Sequence, residues 1–364
     1  MGISGGVDSA VSAALLKEQG YDLVGVHLYC YDEGPYCTAP EDRASAVRVA
    51  EHLGIPLKIW DLRKEYKERV IRYFFDEYQA GRTPNPDIMC NREIKFGLFL
   101  DKARKELKVD YVATGHYARV KSDKEGPRLL AGADHSKDQS YFLYPLTQDK
   151  LEHILFPIGG MTKKEVRTKA GELNLPNKSR PDSQGICFIG PVNVAKFLRE
   201  NLPAKKGRVV TADGQVIGEH DGVWFFTEGQ RHGFLISNSP GLPLYVVGKN
   251  VTTNTLIVGR GEESKVREFW VKNPHWTRKL EDKGKKRPGL SAKASKKVGV
   301  RIRHLGEIMP AIIISNSHQP PAASHKLLVK LAKPMFGVAA GQSAVFYQKD
   351  EVLGGGIISL GSTL

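Results

Sequence analysis

The sequence SGGVDS, at residues 4–9, decides the fold because it has the pattern of a phosphate-binding loop that opens a helix. Its two adjacent glycines let backbone N–H groups close around phosphate oxygens, and the helix N-terminus adds positive potential. The hydroxyls of Ser4 and Ser9 can donate to the same oxygens, while Asp8 can hold Mg²⁺ or cap the helix. The stretch has no GxxxxGK[ST] pattern, so no lysine of its own reaches a γ-phosphate. A Ser/Gly-rich turn with an ordinary helix cap is the structural alternative.

Short apolar strands alternate with helical patterns through the first 190 residues around this loop. Helices are predicted over residues 10–19, 41–53 and 65–79, and strands over residues 22–31, 55–62 and 109–114. This alternation is typical of an α/β fold, a doubly wound parallel sheet with helices on both faces. A strand should precede the loop, but only residues 1–3 do, so we expect the first strand to be cut short in this chain.

The pattern of predicted secondary structure changes after about residue 200. Glycines punctuate residues 207–261, and short β-prone runs continue from residue 268 onward without a convincing helix. Evenly spaced short strands of this kind predict a small β-barrel or sandwich at the C-terminus.

Composition and charge narrow the class of protein. Of the 364 residues, 41% are hydrophobic, which excludes global disorder. No apolar run approaches the roughly 18 residues of a membrane helix, so we expect a cytoplasmic protein with no membrane partner. Lys and Arg exceed Asp and Glu by 54 − 40 = 14, and an excess of that sign attracts polyanions such as nucleic acid. Much of the excess positive charge lies in residues 276–303. The alternative to a nucleic-acid-binding segment there is a solvated loop that only aids solubility.

Four cysteines and no CxxC pair exclude a disulfide framework and a zinc knuckle, so each thiol is judged singly. Cys90 lies in the segment GRTPNPDIMCNR, residues 81–92, whose prolines forbid helix before Asp87. A thiol near a helix N-terminus, followed by Arg92 and Lys95, predicts a lowered pKa for Cys90. Asp87 is close enough in sequence to accept a proton or orient a base. A half-buried loop cysteine is the alternative.

Cys187 and His116 are the other candidates for functional residues. Cys187 lies in SQGICFIG, residues 183–190, an apolar run that by itself is more typical of a core strand. His116 follows the strand predicted over residues 109–114, at the carboxyl edge where ligands bind in such sheets, although a satisfied loop histidine is as common there.

At this point the chain resembles the tRNA-specific 2-thiouridylases of the MnmA type, within the ATP pyrophosphatase superfamily. The resemblance rests on seven motifs in order over nearly the whole chain: residues 4–9, 81–96, 113–117, 137–142, 185–190, 229–231 and 341–347. It implies a PP-loop domain of the adenine nucleotide alpha hydrolase type over residues 1–200, a small central domain over 201–266 and a tRNA-contacting β-barrel over 267–364.

The resemblance also implies roles for individual residues. Cys90 would be the catalytic nucleophile, Cys187 would carry a persulfide, and Asp87 would complete the catalytic set. The residues implied for ATP binding are Gly2, Ile3, Ser4, Gly5, Gly6, Val7, Asp8, Ser9, Leu28 and Gly115. Those implied for tRNA binding are Asn85, Pro86, Asp87, His116, Lys137, Asp138, Gln139, Arg303, His304 and Gln342. No residue is assigned to a metal site, although ATP is expected to act with Mg²⁺.

The implied reaction adenylates the C2 oxygen of the wobble uridine, position 34, in tRNAs for Lys, Glu and Gln. Sulfur loaded from a cysteine desulfurase or a relay protein then replaces that oxygen. Cys90 attacks the Cys187 persulfide to free the sulfur, or the persulfide attacks C2 and Cys90 resolves the product. The two sulfurs, 97 residues apart, must therefore approach to disulfide distance, and we expect the Cys90 loop to move when tRNA binds. An iron–sulfur cluster on Asp87, Cys90 and Cys187 is a less favoured variant.

Two function classes compete with this interpretation. A ligase for small molecules could use the same loop, but it needs neither a cysteine pair nor a basic charge. A non-catalytic tRNA-binding protein would bind tRNA without converting ATP to AMP. The 2-thiocytidine enzymes are disfavoured because their CxxC pair is absent.

Overall fold

The computed structural model describes residues 1–33, 37–182, 185–190, 193–237, 241, 243–278, 295–315 and 326–360. The chain divides into two compact units. The first unit comprises Met1–Arg72, Pro86–Val192 and Lys349–Leu353, and the second comprises Tyr73–Asn85, Asn193–Gln348 and Gly354–Leu364. Ser183 and Gln184, and the basic residues from Lys279 to Lys293, lie outside the described residues.

The helices begin and end close to the predicted positions. In chain order they are α1 (Val7–Glu18), α2 (Ala39–Leu53), α3 (Arg63–Tyr66), α4 (Arg72–Gln79), α5 (Pro86–Cys90), α6 (Leu100–Lys102), α7 (Gln148–Leu151), α8 (Lys163–Glu172) and α9 (Val194–Asn201). Three π-helical segments continue neighbouring helices at Lys67–Ile71, Asn91–Phe99 and Ala103–Leu107, and 3₁₀ turns lie at Ser140–Leu143 and Val223–Phe225. No helix in the described ranges is long and apolar enough to cross a bilayer.

The first unit contains the predicted parallel sheet with helices. Strand β1 (Gly25–Tyr29) pairs in parallel with β2 (Leu57–Asp61), and β3 (Val112–Ala113) pairs in parallel with β6 (Ile154–Leu155). Strands β4 (Ala118–Asp123) and β5 (Gly126–Ala131) form an antiparallel hairpin. Apolar side chains of α1, including Val11, and of α2, including Val49, are buried in one core cluster with Val166 of α8.

Residues 1–3 occupy the strand position between β1 and β3. The Ile3 N–H donates to the Val26 carbonyl and the Val26 N–H to the Met1 carbonyl, both at 2.8 Å, while the Gly2 N–H donates to the Ala113 carbonyl at 2.9 Å. Only an isolated parallel bridge, Gly2 to Val26, forms here, but these residues supply ladder bonds that the neighbouring strands need. The SGGVDS loop therefore starts where a short segment between two parallel strands ends, at the edge where ligands bind in such sheets.

The second unit is built mainly from strands. A five-stranded sheet comprises β7 (Gly207–Thr211), β8 (Val216–His220), β9 (Leu235–Ile236), β10 (Tyr245–Asn250) and β11 (Thr255–Gly259). The C-terminal strands are β12 (Lys265–Trp276), β13 (Ser295–Arg301), β14 (Met309–Ser315), β15 (Lys326–Phe336), β16 (Ser343–Gln348) and β17 (Glu351–Ser359). They run in the order β12-β15-β14-β13-β16-β17, and β17 pairs back with β12. This closure confirms the predicted C-terminal β-barrel.

Candidate active site

The SGGVDS loop is held in shape through the carbonyl of Gly5. That oxygen accepts hydrogen bonds from Ser45 Oγ at 2.7 Å, Asn177 Nδ2 at 2.8 Å and Arg180 Nη1 at 3.1 Å. Gly5 has a φ of +88°, and an added Cβ would overlap the carbonyl oxygen of Asp42. Only glycine fits this position, and three donors from distant parts of the sequence fix the loop before any ligand arrives.

The loop residues also bond to one another in a way that leaves a helix end exposed to ligand. The Ser9 hydroxyl accepts from the Ser4 N–H at 3.2 Å and donates to the Gly6 carbonyl at 2.9 Å. No side chain caps α1 at Gly6, so the first amides of that helix can bind an anion. Gly115 packs against this turn, because an added Cβ would lie 2.8 Å from the Ser9 nitrogen. The geometry is compatible with the predicted phosphate site, and that role stays a prediction.

Asp8 does not cap α1 but joins a network of charges. Its carboxylate accepts hydrogen bonds from Lys163 Nζ at 2.7 and 2.9 Å and from the Tyr117 hydroxyl at 2.9 Å. Burial, followed by the charge of Asp8, raises the pKa of Tyr117, so this hydroxyl stays protonated. Lys163 lies at the start of α8 and was missed by the sequence analysis, although the capping box of Thr162 and Glu165 marks where that helix begins.

The same network extends to Asp182. Lys163 Nζ lies 2.8 Å from its carboxylate, Lys137 Nζ also lies at 2.8 Å, and Arg167 Nη2 lies at 2.5 Å. Burial raises the pKa of Asp182, but the hydrogen bonds from Lys137 and Lys163 outweigh it and hold the pKa well below its usual value. The network thus leads from the SGGVDS loop of residues 4–9, called the phosphate loop below, to the segment that precedes Cys187.

The two candidate cysteines lie in contact. Cys90 Sγ is 3.6 Å from Cys187 Sγ, although 97 residues separate them in the sequence. Cys90 is buried, whereas Cys187 is partly exposed, and both are free thiols. Asp87 Oδ1 accepts the N–H of Cys187 at 3.0 Å, and the Tyr66 hydroxyl donates to the Cys187 carbonyl at 2.6 Å. The sulfurs are therefore close without any movement of the Cys90 loop.

Cys187 lies in a tight and strained turn of residues 186–190, called the sulfur turn below. Backbone hydrogen bonds of 3.2 and 3.0 Å between Ile186 and Gly190 close the turn on itself. Phe188 inside it has a φ of +66°, in the left-handed region that a bulky residue rarely adopts. Its ring packs edge-on against Tyr66 at 5.8 Å, which compensates part of the strain. Strain of this kind is common at functional sites.

The two thiols differ in acidity, and the difference is the reverse of the prediction. Burial raises the pKa of Cys90 well above its usual value. A hydrogen bond from Cys90, together with the charge of Lys95, outweighs burial and lowers the pKa of Cys187 to about 7. The prediction of a lowered pKa for Cys90 is wrong because Cys90, although it lies near the start of a helix, is fully shielded from water. Of the two thiols, Cys187 is therefore the one whose pKa is lowered.

Lys95 and His116 lie directly beside the sulfurs. Lys95 Nζ is 3.4 Å from His116 Nε2, and His116 Nδ1 is 2.7 Å from Thr114 Oγ1. Burial, then the charge of Lys95, lowers the pKa of His116 well below its usual value, so its ring is neutral. Burial lowers the pKa of Lys95, but the sulfurs of Cys187 and Cys90 outweigh it, so its pKa is raised. From the sequence, Lys95 is recognisable only as a charge near Cys90.

The residues predicted to bind tRNA in the first unit have defined surroundings, and that role stays a prediction. Asp138 is buried and accepts the N–H groups of Gly132 and Ser140, both at 3.0 Å. Gln139 Oε1 accepts the Tyr117 N–H at 3.0 Å. These contacts shape the loop next to Lys137.

The residues of the second unit that are predicted to bind tRNA are distant in sequence from Cys90 and Cys187, which belong to the first unit. Gln342 Nε2 donates to the carbonyls of Thr83 and Pro84, both at 3.2 Å, so it supports the backbone that leads to Asn85. Arg303 is exposed on the unit's surface. His304, also in the second unit, is partly exposed. In the first unit, Pro86 is partly exposed, and Leu28, predicted to bind ATP, is buried in β1.

Within the described ranges, no group of three or more His, Cys, Asp and Glu side chains is arranged to hold a metal ion. The iron–sulfur variant on Asp87, Cys90 and Cys187 stays untested.

Three family models match consecutive parts of the chain. They are described as the tRNA methyl transferase HUP domain over residues 1–191, the tRNA methyl transferase PRC-barrel domain over residues 195–260 and the aminomethyltransferase beta-barrel domain over residues 266–358. The matched ranges follow the change from α/β to all-β structure seen along the chain.

Curated proteins similar to the chain carry the name tRNA-specific 2-thiouridylase MnmA. The protein of Bacillus velezensis is 42% identical over 374 residues, which cover 98% of this chain and 94% of the relative. That of Enterococcus faecalis is 44% identical over 367 residues, with the same coverage. That of Lactococcus lactis subsp. cremoris is 43% identical over 371 residues, covering 99% of this chain and 94% of the relative.

Proposed function

Because the chain belongs to the tRNA-specific 2-thiouridylase family, we propose that it is a tRNA-uridine 2-sulfurtransferase. It replaces the C2 oxygen of the wobble uridine with sulfur and consumes ATP, giving 2-thiouridine, AMP and pyrophosphate. The observation that carries the proposal is the contact of Cys90 with Cys187 in the same compact unit as the phosphate loop. We further propose tRNAs for Lys, Glu and Gln as its substrates.

The phosphate loop serves the first half of the reaction. The C2 oxygen of uracil is a poor leaving group, and adenylation converts it into AMP, which leaves readily. In the proposed complex the amides at the start of α1 bind the phosphates and stabilise the charge on the departing pyrophosphate. Mg²⁺, when bound, supplies further neutralisation of that charge, and Asp8 has the carboxylate oxygens that such an ion prefers.

Cys187 serves as the acceptor of sulfur. The pKa of Cys187 is lowered to about 7, so it forms a thiolate more readily than Cys90, whose pKa burial raises well above its usual value. The Cys187 thiolate attacks the outer sulfur of a persulfide on a donor protein, a cysteine desulfurase or a relay protein. The sulfur–sulfur bond of the donor breaks, the donor leaves as a thiolate, and Cys187 carries the persulfide.

Cys90 completes the transfer by either of two balanced routes. In one, Cys90 attacks the inner sulfur of the persulfide, and the released hydrosulfide displaces AMP from C2. In the other, the outer sulfur displaces AMP, and Cys90 then attacks Cys187 to release the thiolated base. Both routes leave a Cys90–Cys187 disulfide, which two electrons from a thiol reductant return to the free thiols. A disulfide is about 2.05 Å long, so the sulfurs need only approach from 3.6 Å.

The test is thiolation of a wobble-uridine tRNA transcript with Mg·ATP, a cysteine desulfurase and cysteine, measured by mercury-gel retardation. We expect a retarded band with the wild type and none with Cys187→Ser. Cys37→Ser is the matched control, because Cys37 is a partly exposed thiol that bonds to the Tyr31 carbonyl at 3.7 Å and has no place in the reaction. We expect it to behave as the wild type.

Two results would contradict the proposal. Full multiple-turnover thiolation by Cys187→Ser would remove that residue from sulfur transfer. Formation of AMP without any dependence on tRNA would favour a small-molecule ligase instead. Iron analysis of anaerobically purified protein separates the persulfide route from the iron–sulfur variant, since only the latter requires bound iron.

A further inference from the structure

One of the motifs found in the sequence, residues 229–231, has no part in the proposed reaction. It lies in a turn of residues 227–233 in the second unit, called the GQR turn below. Gln230 Oε1 accepts the Thr227 N–H at 3.2 Å, and Gln230 Nε2 donates to the His232 carbonyl at 2.8 Å. One glutamine side chain thus spans the turn and fixes the backbone on both sides of residue 231.

The GQR turn is also anchored to β10. The Gly229 N–H donates to the Val246 carbonyl at 2.8 Å, and the Val246 N–H donates to the Gln230 carbonyl at 2.9 Å. These two bonds join the turn to a sheet strand as one strand is joined to another. The shape of the turn therefore does not depend on a ligand.

A buried ion pair adjoins the same turn. Lys249 Nζ donates to the Phe226 carbonyl at 2.9 Å and lies 3.4 Å from Glu228 Oε2. The side chains of Lys249 and Glu228 are only 3% and 10% exposed. Burying two charges carries a desolvation cost that apolar residues avoid, so the shape that the pair imposes on the turn explains it better than stability does.

The turn holds two basic side chains in solvent. Arg231 and His232 are exposed, and neither forms an ion pair with any residue that the structure describes. A guanidinium group without a carboxylate partner keeps its N–H donors available for the oxygens of a phosphate group. The net charge of +14 attracts a polyanion to the protein as a whole, and the turn offers that polyanion a fixed contact.

The position of the turn within the second unit fits the same ligand. The hydroxyl of Thr227 lies 3.0 Å from that of Thr83, two residues before the first predicted tRNA-binding residue. An added Cβ on Gly229 would lie 3.2 Å from Gly337 Cα, and one on Gly337 would lie 3.9 Å from Arg303 Nη1. Arg303 is itself predicted to bind tRNA. The turn therefore lies between two predicted contacts.

We propose that the GQR turn is a further tRNA-binding element, in which Arg231 and His232 contact phosphate groups of the tRNA backbone. The inference rests on the proposed function, because tRNA is the ligand. Contacts to phosphate fix the position and orientation of a nucleic acid but do not read its sequence. The turn thus adds affinity and orientation without selecting among tRNAs.

The test measures binding of a fluorescently labelled wobble-uridine tRNA transcript to the full-length protein, by anisotropy, from about 50 to about 200 mM salt. Arg231→Gln removes one phosphate contact, so the slope of log affinity against log salt should become shallower by about one. The affinity at about 150 mM salt should fall about fivefold. Arg231→Lys keeps the charge and should restore the slope and most of the affinity.

Arg208→Gln is the matched control. Arg208 is exposed in β7 and forms no ion pair with the described part of the chain. It pairs with Thr255, which pairs with Asn250, at the opposite end of β10 from Val246. We expect the control to bind tRNA with the wild-type affinity and slope. An equal loss in both variants would indicate a general attraction to basic surface and would overturn the proposal.

Gln230→Ala separates the shape of the turn from its charge. This variant loses both side-chain hydrogen bonds within the turn and keeps Arg231. We expect the affinity to fall about threefold, because the turn must then be ordered on binding, while the salt slope stays at the wild-type value.

Wild-type affinity and slope in folded Arg231→Gln would contradict the inference. The assay needs neither ATP nor a sulfur donor, so it can be judged apart from thiolation. A wild type that binds tRNA through Arg231 but does not thiolate it would contradict the proposed function and support the tRNA contact. A wild type that does not bind tRNA would contradict both.

Discussion

The phosphate loop and the sulfur turn, two parts of the same unit, are held in different ways. The carbonyl of Gly5 in the loop accepts three side-chain hydrogen bonds from distant residues. The turn that carries Cys187 closes on itself, contains a strained Phe188 and is held by Asp87 and Tyr66. The difference indicates which of the two segments has to be rigid for its proposed role. In the proposed reaction, preorganised donors favour the binding of phosphate, whereas the two sulfurs must change their separation during each turnover.

The largest effect is expected from a substitution that disrupts the phosphate loop and leaves the sulfur turn intact. Gly5→Ala forces a residue with Cβ into a φ of +88° and into overlap with the Asp42 carbonyl. We expect tRNA-dependent AMP formation to fall by about 100-fold or more, as on loss of preorganised donors. Alkylation of Cys187 by iodoacetamide in the same variant, measured as a function of pH, should keep its midpoint at pH about 7.

Gly20→Ala is the control for backbone strain alone, since Gly20 has a φ of +85° and nothing within 4 Å of an added Cβ. It should cost about 1 kcal/mol of stability and leave AMP formation unchanged in the folded protein. Wild-type AMP formation by Gly5→Ala would mean that the loop is not the phosphate site.

The contrast also explains what the sequence could predict. The SGGVDS loop, the alternating strands and helices and the all-β C-terminal half follow from local patterns, and the structure confirms them. The acidity of Cys90 and Cys187 depends on burial and on the hydrogen bond between the two sulfurs, which segments 97 residues apart bring together. The pattern around Thr162 likewise predicts a helix start, but not that Lys163 reaches Asp8.

A smaller effect is expected when one sulfur is removed. Cys90→Ala deletes the thiol that donates to Cys187, the first cause of its lowered pKa. A hydrogen bond to a charged group contributes about 1.5 kcal/mol or more, so the pKa of Cys187 should rise by about one unit. The thiolate fraction at neutral pH therefore falls, and the alkylation rate there should drop about fivefold and recover at higher pH.

Cys30→Ala is the control, because Cys30 is a buried neutral thiol near the pair. It should leave the midpoint at about 7. An unchanged midpoint in Cys90→Ala would show that the hydrogen bond from Cys90 does not set the acidity of Cys187.

The smallest effect compares one hydrogen bond from each region. Ser45→Ala and Tyr66→Phe each remove a hydroxyl that donates to a backbone carbonyl, of Gly5 at 2.7 Å and of Cys187 at 2.6 Å. Gly5 keeps two other donors, so Ser45→Ala should cost less than about 0.5 kcal/mol. Tyr66→Phe should cost about 1 kcal/mol, the net value of a typical hydrogen bond. Urea unfolding measures both.

Because the Tyr66 hydroxyl bonds to the carbonyl and not to the sulfur, the alkylation midpoint of Cys187 should stay at about 7. Equal costs for the two variants would mean that the sulfur turn is held as redundantly as the phosphate loop, and the assignment of stiffness to one region alone would be wrong.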